Sequence, residues 1–105
     1  MAQVIWQESA IAHLQSIYHY YYEHTSEAVA ARILIDLQNA PDVLESFPYS
    51  GSEETSFSHL STTYYYLVVR KRYKIIYMVE DNICSILAIW DVRKNPDMLA
   101  SMIFE

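Results

Sequence analysis

The chain has 105 residues, a formal net charge of −6, 52% hydrophobic residues and 19% charged residues. This length suits one domain with one core, and the hydrophobic fraction excludes an intrinsically disordered protein. Apolar runs are too short to span a membrane and residues 1–25 lack a signal-peptide pattern, so we expect a single domain over residues 1–105, in the cytoplasm and without membrane contact.

The charged residues are unevenly distributed along the chain. Residues 1–54 carry eight acidic residues against Arg32 alone, whereas residues 55–105 carry five acidic residues against six basic ones. A uniformly acidic protein repels nucleic acid, but a chain whose few cations lie together still presents a local positive surface. Four of those cations fall within five positions: Arg70, Lys71, Arg72 and Lys74. This cluster fits either the solvated end of a β-hairpin or the edge of an anion-binding site.

Cysteine and histidine usage bears on metal and redox chemistry. Cys84 is the only cysteine, which excludes an internal disulfide or a cysteine metal cluster, and its aliphatic neighbours predict a buried thiol in a strand. The four histidines show no ligand spacing on one helical face, except roughly His13 and His24, which lie eleven residues apart. We therefore expect no metal and no cofactor, and we expect His59 to face solvent in a loop.

The first half of the chain predicts a short strand followed by two helices. Residues 3–6 are a strand candidate, and apolar side chains at helical spacing predict a first helix from about Ser9 to His24. The aromatic run at residues 18–22 is interpreted as helix packing in preference to a base-stacking platform. Ser26 is the expected N-cap of a second helix that ends near Asn39, because Pro41 cannot continue it.

The second half predicts a loop and then three strands. Residues 49–61 are mostly polar and are expected to form a surface loop. Runs rich in β-branched and aromatic residues follow at 64–69, 73–79 and 83–90, with Asp81 and Asn82 as a tight turn between the last two.

This order, β-α-α-β-β-β, predicts an α+β fold. Two N-terminal helices are expected to pack on one face of a small, mainly antiparallel four-stranded sheet, with the other face exposed. Because side chains alternate along a strand, Tyr73, Ile75 and Tyr77 are expected to face the helices and Lys74 the open side.

Four segments in this order resemble the RelE/ParE superfamily of bacterial toxins from type II toxin–antitoxin operons. They read LESFPYSG at 44–51, YYYLVV at 64–69, KRYKIIY at 71–77 and IWDVRKNP at 89–96, and together they span nearly the whole chain. The resemblance implies the family's fold, a cognate antitoxin that holds the toxin inactive, and a growth-blocking activity. Two such activities occur in these families: cleavage of messenger RNA at the ribosome by an endoribonuclease, and inhibition of DNA gyrase. The fold alone does not separate them.

The resemblance also implies site residues. Lys74 on the next-to-last strand and Arg93 at the end of the last strand correspond to family arginines, and Asp91 stands where many members have histidine. Because the two strands are neighbours, we expect Lys74 and Arg93 to converge on one phosphate as catalytic residues together with Asp91. Nearby cations are candidates for binding nucleic acid or the protein target: Arg70, Arg72 and Lys94.

Several departures weigh against ribonucleolytic chemistry. The usual pKa of an aspartate is a poor match for a general base, and the strand before Lys74 is apolar around Tyr65 and Leu67, where ribosome-dependent relatives tend to carry lysines. No tyrosine follows Pro96, and a ligand with net charge −6 meets an electrostatic penalty at the anionic ribosome.

A catalytically decayed or non-enzymatic protein-binding module of the same fold is the alternative hypothesis. In it, Arg93 and Asp91 form only a surface ion pair. An apolar tail docks on a partner or on a second copy, which leaves a homodimer open. That tail is formed by Met98, Leu99, Met102, Ile103 and Phe104.

Overall fold

The computed structural model describes residues 1–57 and 60–94, which form a pair of helices packed against a mixed sheet. The helices are α1 (Glu8–His24) and α2 (Glu27–Asn39), followed by a 3₁₀ turn at Ala40–Glu45. The strands are β1 (Gln3–Trp6), β2 (Ser52–Glu53), β3 (Tyr65–Val69), β4 (Tyr73–Glu80) and β5 (Ile83–Asp91). None of the described helices is long and apolar enough to cross a membrane.

The sheet has five strands in the order β1-β5-β4-β3-β2, so the expected four-stranded sheet is wrong by one strand. β1 runs parallel to β5, and the other neighbours are antiparallel. The additional strand, β2, lies within the segment predicted to be a loop and pairs Ser52 with Tyr66 and Glu53 with Tyr65. A pair of polar residues carries no alternation from which to predict a strand.

Both ends of α2 follow from the local chemistry that the sequence indicated. Ser26 caps α2, since its hydroxyl accepts a hydrogen bond of 3.1 Å from the Val29 amide. α2 ends at Asn39, and Pro41 lies in the 3₁₀ turn that follows. Ser9 instead anchors α1 to the sheet by donating a hydrogen bond of 2.6 Å to the Leu87 carbonyl.

The main core lies between the helices and one face of the sheet. Tyr73, Ile75 and Tyr77 of β4 belong to it, as the alternation predicted, and Cys84 is buried there as expected. The helices contribute buried side chains that recur at helical spacing, so their apolar surface is removed from water. These are Leu14 and Tyr21 of α1 and Ile33 and Leu37 of α2.

The opposite face of the sheet is covered, which corrects the expectation of an open face. Phe57 is only 2% exposed and packs there with Tyr64, Ile76, Ala88 and Trp90 in a second cluster. Since β4 and β5 are apolar on both sides, each face must be shielded from water. The chain after β2 supplies that shield.

Both hairpin turns between the last three strands use residues in the left-handed region. Asp81 and Asn82 have φ angles of 51° and 62°, which confirms the predicted tight turn. Arg70 and Lys71 connect β3 to β4 with φ angles of 57° and 56°. Half of the cationic cluster therefore forms a turn, in a backbone conformation that costs non-glycine residues about 1 kcal/mol each.

Candidate functional site

Lys74 lies on the second face of the sheet and is paired. Its Nζ is 2.9 Å from Oε1 of Glu54, a side chain that is only 5% exposed, and it sits 4.2 Å from the centre of the Tyr66 ring. The Glu54 amide in turn donates to the Tyr64 carbonyl at 2.8 Å, which fixes the segment over the sheet. The chain thus supplies its own carboxylate to Lys74.

Arg93 is bound to Asp91 in a fork. Its Nε lies 3.0 and 3.2 Å from the two carboxylate oxygens, its terminal Nη2 lies 2.7 Å from Oδ2, and its amide donates to Oδ1 at 2.9 Å. The hydrogen bonds from the Arg93 side chain hold the pKa of Asp91 far below its usual range. A carboxylate with so low a pKa is a very weak base and is unsuited to general-base catalysis.

The structure does not bring Lys74 and Arg93 together as the resemblance led us to expect. Lys74 contacts Glu54 and the second cluster, whereas Arg93 borders a pocket beside α1 on the helix side of the sheet. Residues directly opposite each other on neighbouring strands have side chains on the same face of the sheet, and successive residues along one strand alternate between the two faces. Lys74 is opposite Trp90 in the register, and Asp91, which binds Arg93, is opposite Tyr73.

The pocket beside α1 has a volume of about 360 Å³ and is the candidate functional site. It brings together Arg72, Arg93, Lys94 and Asp91, all of which the sequence had indicated. Its walls are largely aromatic and aliphatic, formed by Ile17, Tyr20, Tyr73, Ile89 and Trp90. Three cationic side chains and one carboxylate therefore border the same largely apolar pocket.

Arg72 is held by aromatic rings and has no hydrogen-bonded side-chain partner among the described residues. Its guanidinium lies 5.5 Å from the centre of the Tyr21 ring and 5.6 Å from that of Tyr73. Nε is 3.5 Å from Oδ2 of Asp91, makes no hydrogen bond and is buried. The two ring hydroxyls bond each other at 3.0 Å, and burial raises the pKa of Tyr73.

The other predicted binding cations differ in position. Arg70 pairs with Asp36 of α2 at 2.6 Å, with both side chains more than 40% exposed. An exposed pair of this kind contributes at most about 1 kcal/mol, so Arg70 fits the hairpin-end interpretation. Lys94 borders the pocket, with its Nζ 5.9 Å from the centre of the Trp90 ring.

His13 is a pocket residue that sequence reasoning missed. Its Nδ1 accepts a hydrogen bond of 3.2 Å from the Ile89 amide, which ties α1 to β5. Burial, reinforced by the Lys94 charge, lowers its pKa, so the ring is neutral at pH 7. No motif in the sequence marks position 13, and only the tertiary contact with β5 reveals its role.

Within residues 1–57 and 60–94 there is no group of three or more His, Cys, Asp or Glu side chains arranged to hold a metal ion. The predictions for His59 and for the apolar tail at residues 98–104 lie outside the described residues.

Comparison with known proteins identifies relatives of this chain. Residues 4–96 match the family model described as the ParE toxin of the type II toxin–antitoxin system parDE. The fold is similar to a chain of the chromosomal ParDE toxin–antitoxin system from P. aeruginosa, with a TM-score of 0.74 and 20% sequence identity. That match covers 88% of this chain and 97% of the other. A search of curated protein sequences found no match.

Proposed function

Because this chain belongs to the ParE toxin family of type II toxin–antitoxin systems, we propose that it blocks growth by binding a protein target, with DNA gyrase as the candidate. A cognate antitoxin neutralises it. Its action on gyrase takes place in the cytoplasm and involves no RNA cleavage.

The separation of Lys74 from Arg93 is the observation that carries this proposal. Cleavage of RNA develops negative charge on a pentavalent phosphate, which requires cations that converge on one point. Here Lys74 is paired with a buried carboxylate on one face and Arg93 with Asp91 at the pocket on the other. Neither pair offers a bare cation to a scissile phosphate.

The state of Asp91 supports the same conclusion. Attack by a ribose hydroxyl needs a base whose pKa lies near the working pH. The pKa of Asp91 is lowered by its hydrogen bonds from Arg93, so the residue is an anion at neutral pH and a poor proton acceptor. Binding a protein surface requires no such base.

Growth and two biochemical assays test the proposal. We expect the wild-type chain, expressed from a tight promoter, to arrest growth, and the purified chain to inhibit supercoiling by gyrase. Primer extension on cellular messages from the same cultures is expected to show no new cleavage sites. Cleavage sites that appear with the wild type and vanish in the Lys74→Ala, Arg93→Ala variant would overturn the proposal. Absence of growth arrest would instead favour a decayed member of the family.

A further inference from the structure

We propose that the pocket beside α1 binds an acidic side chain of the antitoxin, with Arg72 as the anchoring residue. This inference rests on the proposed function, because it names the chemistry by which the proposed partner recognises the toxin. It concerns the neutralising contact and is independent of what the toxin acts on.

Arg72 has hydrogen-bonding capacity that the described residues leave unused. A guanidinium has five N–H donors, and within residues 1–57 and 60–94 the Arg72 side chain forms no hydrogen bond, only the 3.5 Å ion-pair contact of its Nε with Asp91 Oδ2. The Tyr21 and Tyr73 rings hold the group in place by cation–π contact, so it is already oriented. A buried Nε without a partner is costly, and an incoming acceptor would remove that cost.

Asp91 shows that the edge of the pocket accommodates a carboxylate, but this carboxylate forms no hydrogen bond with Arg72. Its oxygens receive the short bonds from Arg93, and its closest approach to Arg72 is 3.5 Å. One carboxylate is therefore shared unequally between two guanidinium groups. A second carboxylate, brought by a partner, can form the paired hydrogen bonds with Arg72 that Asp91 does not make.

The pocket walls and the overall charge favour a carboxylate on a protein over a nucleic-acid phosphate. Ile17, Tyr20 and Trp90 offer apolar contact to a side chain next to the acid. A pocket of about 360 Å³ has room for one or two side chains. With a net charge of −6, the chain repels a polyanion more strongly than it repels a single carboxylate.

The antitoxin is the occupant we select because the matched family is defined by a toxin–antitoxin pair. The family description names no growth target, so it gives no comparable reason to choose the target as the occupant of the pocket. A target that used the pocket instead is one of the outcomes that the experiment distinguishes.

The first experiment uses a small probe on the isolated chain. Phenylacetate carries a carboxylate beside an aromatic ring, 2-phenylethanol is its neutral analogue, and phenyl phosphate replaces the carboxylate by a phosphate. We expect saturable amide shifts at Tyr73, Ile89 and Arg93 with phenylacetate, and affinity at least about tenfold weaker for the neutral analogue. Lack of saturable shifts, or phenyl phosphate binding about tenfold more tightly than phenylacetate, would overturn the proposal.

Two pocket variants change the affinity in opposite directions, which separates binding from damage to the fold. Arg72→Gln should weaken phenylacetate binding at least about tenfold, whereas Asp91→Asn should strengthen it by removing the competing anion. Arg32→Gln makes the same charge change on α2, away from the pocket lining, and should leave affinity unchanged. Unaltered binding in Arg72→Gln, or equal losses in Arg72→Gln and Arg32→Gln, contradicts the assignment.

The second experiment uses the product of the reading frame adjacent to this gene as the antitoxin. Calorimetry should show at least about tenfold weaker binding to Arg72→Gln than to the wild type or to Arg32→Gln. If Arg72→Gln loses growth arrest but binds this protein with unchanged affinity, the occupant is the target and the proposal is wrong. If the wild type arrests no growth, the proposed function fails while both binding experiments still decide this inference.

Discussion

The Glu54 carboxylate and the Lys74 ammonium form an ion pair of 2.9 Å on the face of the sheet opposite the helices. Glu54 is 5% exposed, whereas about a quarter of the Lys74 side chain remains in contact with solvent. The pair links the chain after β2 to the centre of β4. It therefore holds the covering segment at a point where the sheet is otherwise apolar.

Removing the cation from this pair should destabilise the protein strongly. Lys74→Met leaves the Glu54 charge buried without a partner, and we expect the free energy of unfolding in urea to fall by about 2 to 3 kcal/mol. The double variant Glu54→Gln, Lys74→Met should recover most of that loss, because it buries no unpaired charge. Arg70→Met, at the exposed pair with Asp36, is the matched control and should change stability by less than about 0.5 kcal/mol. Equal effects of Lys74→Met and Arg70→Met would show that Glu54 is effectively solvated.

Asp91 should make the protein sensitive to strong acid. Its pKa is lowered in the folded state, so the unfolded chain binds the proton more readily. The stabilisation is complete above the unfolded pKa of about 4 and is lost as the pH falls further. Urea unfolding between pH 5 and pH 2 should therefore show a steeper loss for the wild type than for Asp91→Asn. Parallel curves for the two proteins would exclude Asp91 as the source.

His13 should produce a separate dependence at higher pH. Its lowered pKa means that the folded protein resists protonation, while the unfolded histidine takes up a proton below about pH 6.5. Stability should fall from that pH down to the folded pKa and then level off, because burial and the Lys94 charge disfavour the protonated ring in the folded protein. Protonation of Nδ1 would also remove the acceptor of the Ile89 amide. A two-dimensional NMR titration of the ring should give a midpoint below 6.5.

The turn between β3 and β4 offers a stabilising substitution. Lys71 has a φ angle of 56°, and no hydrogen bond or ion pair of its side chain holds it there within the described residues. Lys71→Gly should raise the free energy of unfolding by up to about 1 kcal/mol, since glycine adopts this conformation without steric cost. Lys71→Ala removes the same charge but keeps the Cβ atom, so it should not stabilise. A gain of the same size in both variants would attribute the effect to charge.

The sequence predicted those secondary-structure elements that have a repeating side-chain pattern or a local capping or turn signal. The Asp81–Asn82 turn, the Ser26 cap and the faces of β4 all followed from local patterns. The two-residue strand β2 and the burial of Phe57 did not, because neither has a repeating pattern and both depend on contacts with distant strands.

The candidate site was predictable in composition but not in arrangement. Arg72, Arg93 and Asp91 were indicated and do border one pocket, whereas Lys74 lies elsewhere. The alternation along β4 had already assigned Lys74 to the face away from the helices. The alternation could not predict where Arg93 lies, because Arg93 follows the end of β5. Its side chain is positioned by its hydrogen bonds to Asp91.

Gly51, just before β2, lies so close to the sheet that there is no room for a larger side chain. A Cβ atom built at this position would lie 2.6 Å from the Tyr77 hydroxyl and 2.7 Å from the Tyr66 carbonyl oxygen, so the requirement for glycine is steric. Gly51→Ala should lower the free energy of unfolding by about 2 kcal/mol, because the segment must move and weaken the 3.0 Å bond from the Gly51 amide to the Tyr77 hydroxyl. Ser50→Ala, at the exposed neighbouring position, should have little effect. The double variant Gly51→Ala, Tyr77→Phe should recover only a fraction of the loss, since it removes the contact with the hydroxyl but leaves those with the Tyr66 carbonyl oxygen and with the Tyr77 ring carbon at 2.9 Å. Full recovery would show that the Tyr77 hydroxyl alone imposes the requirement.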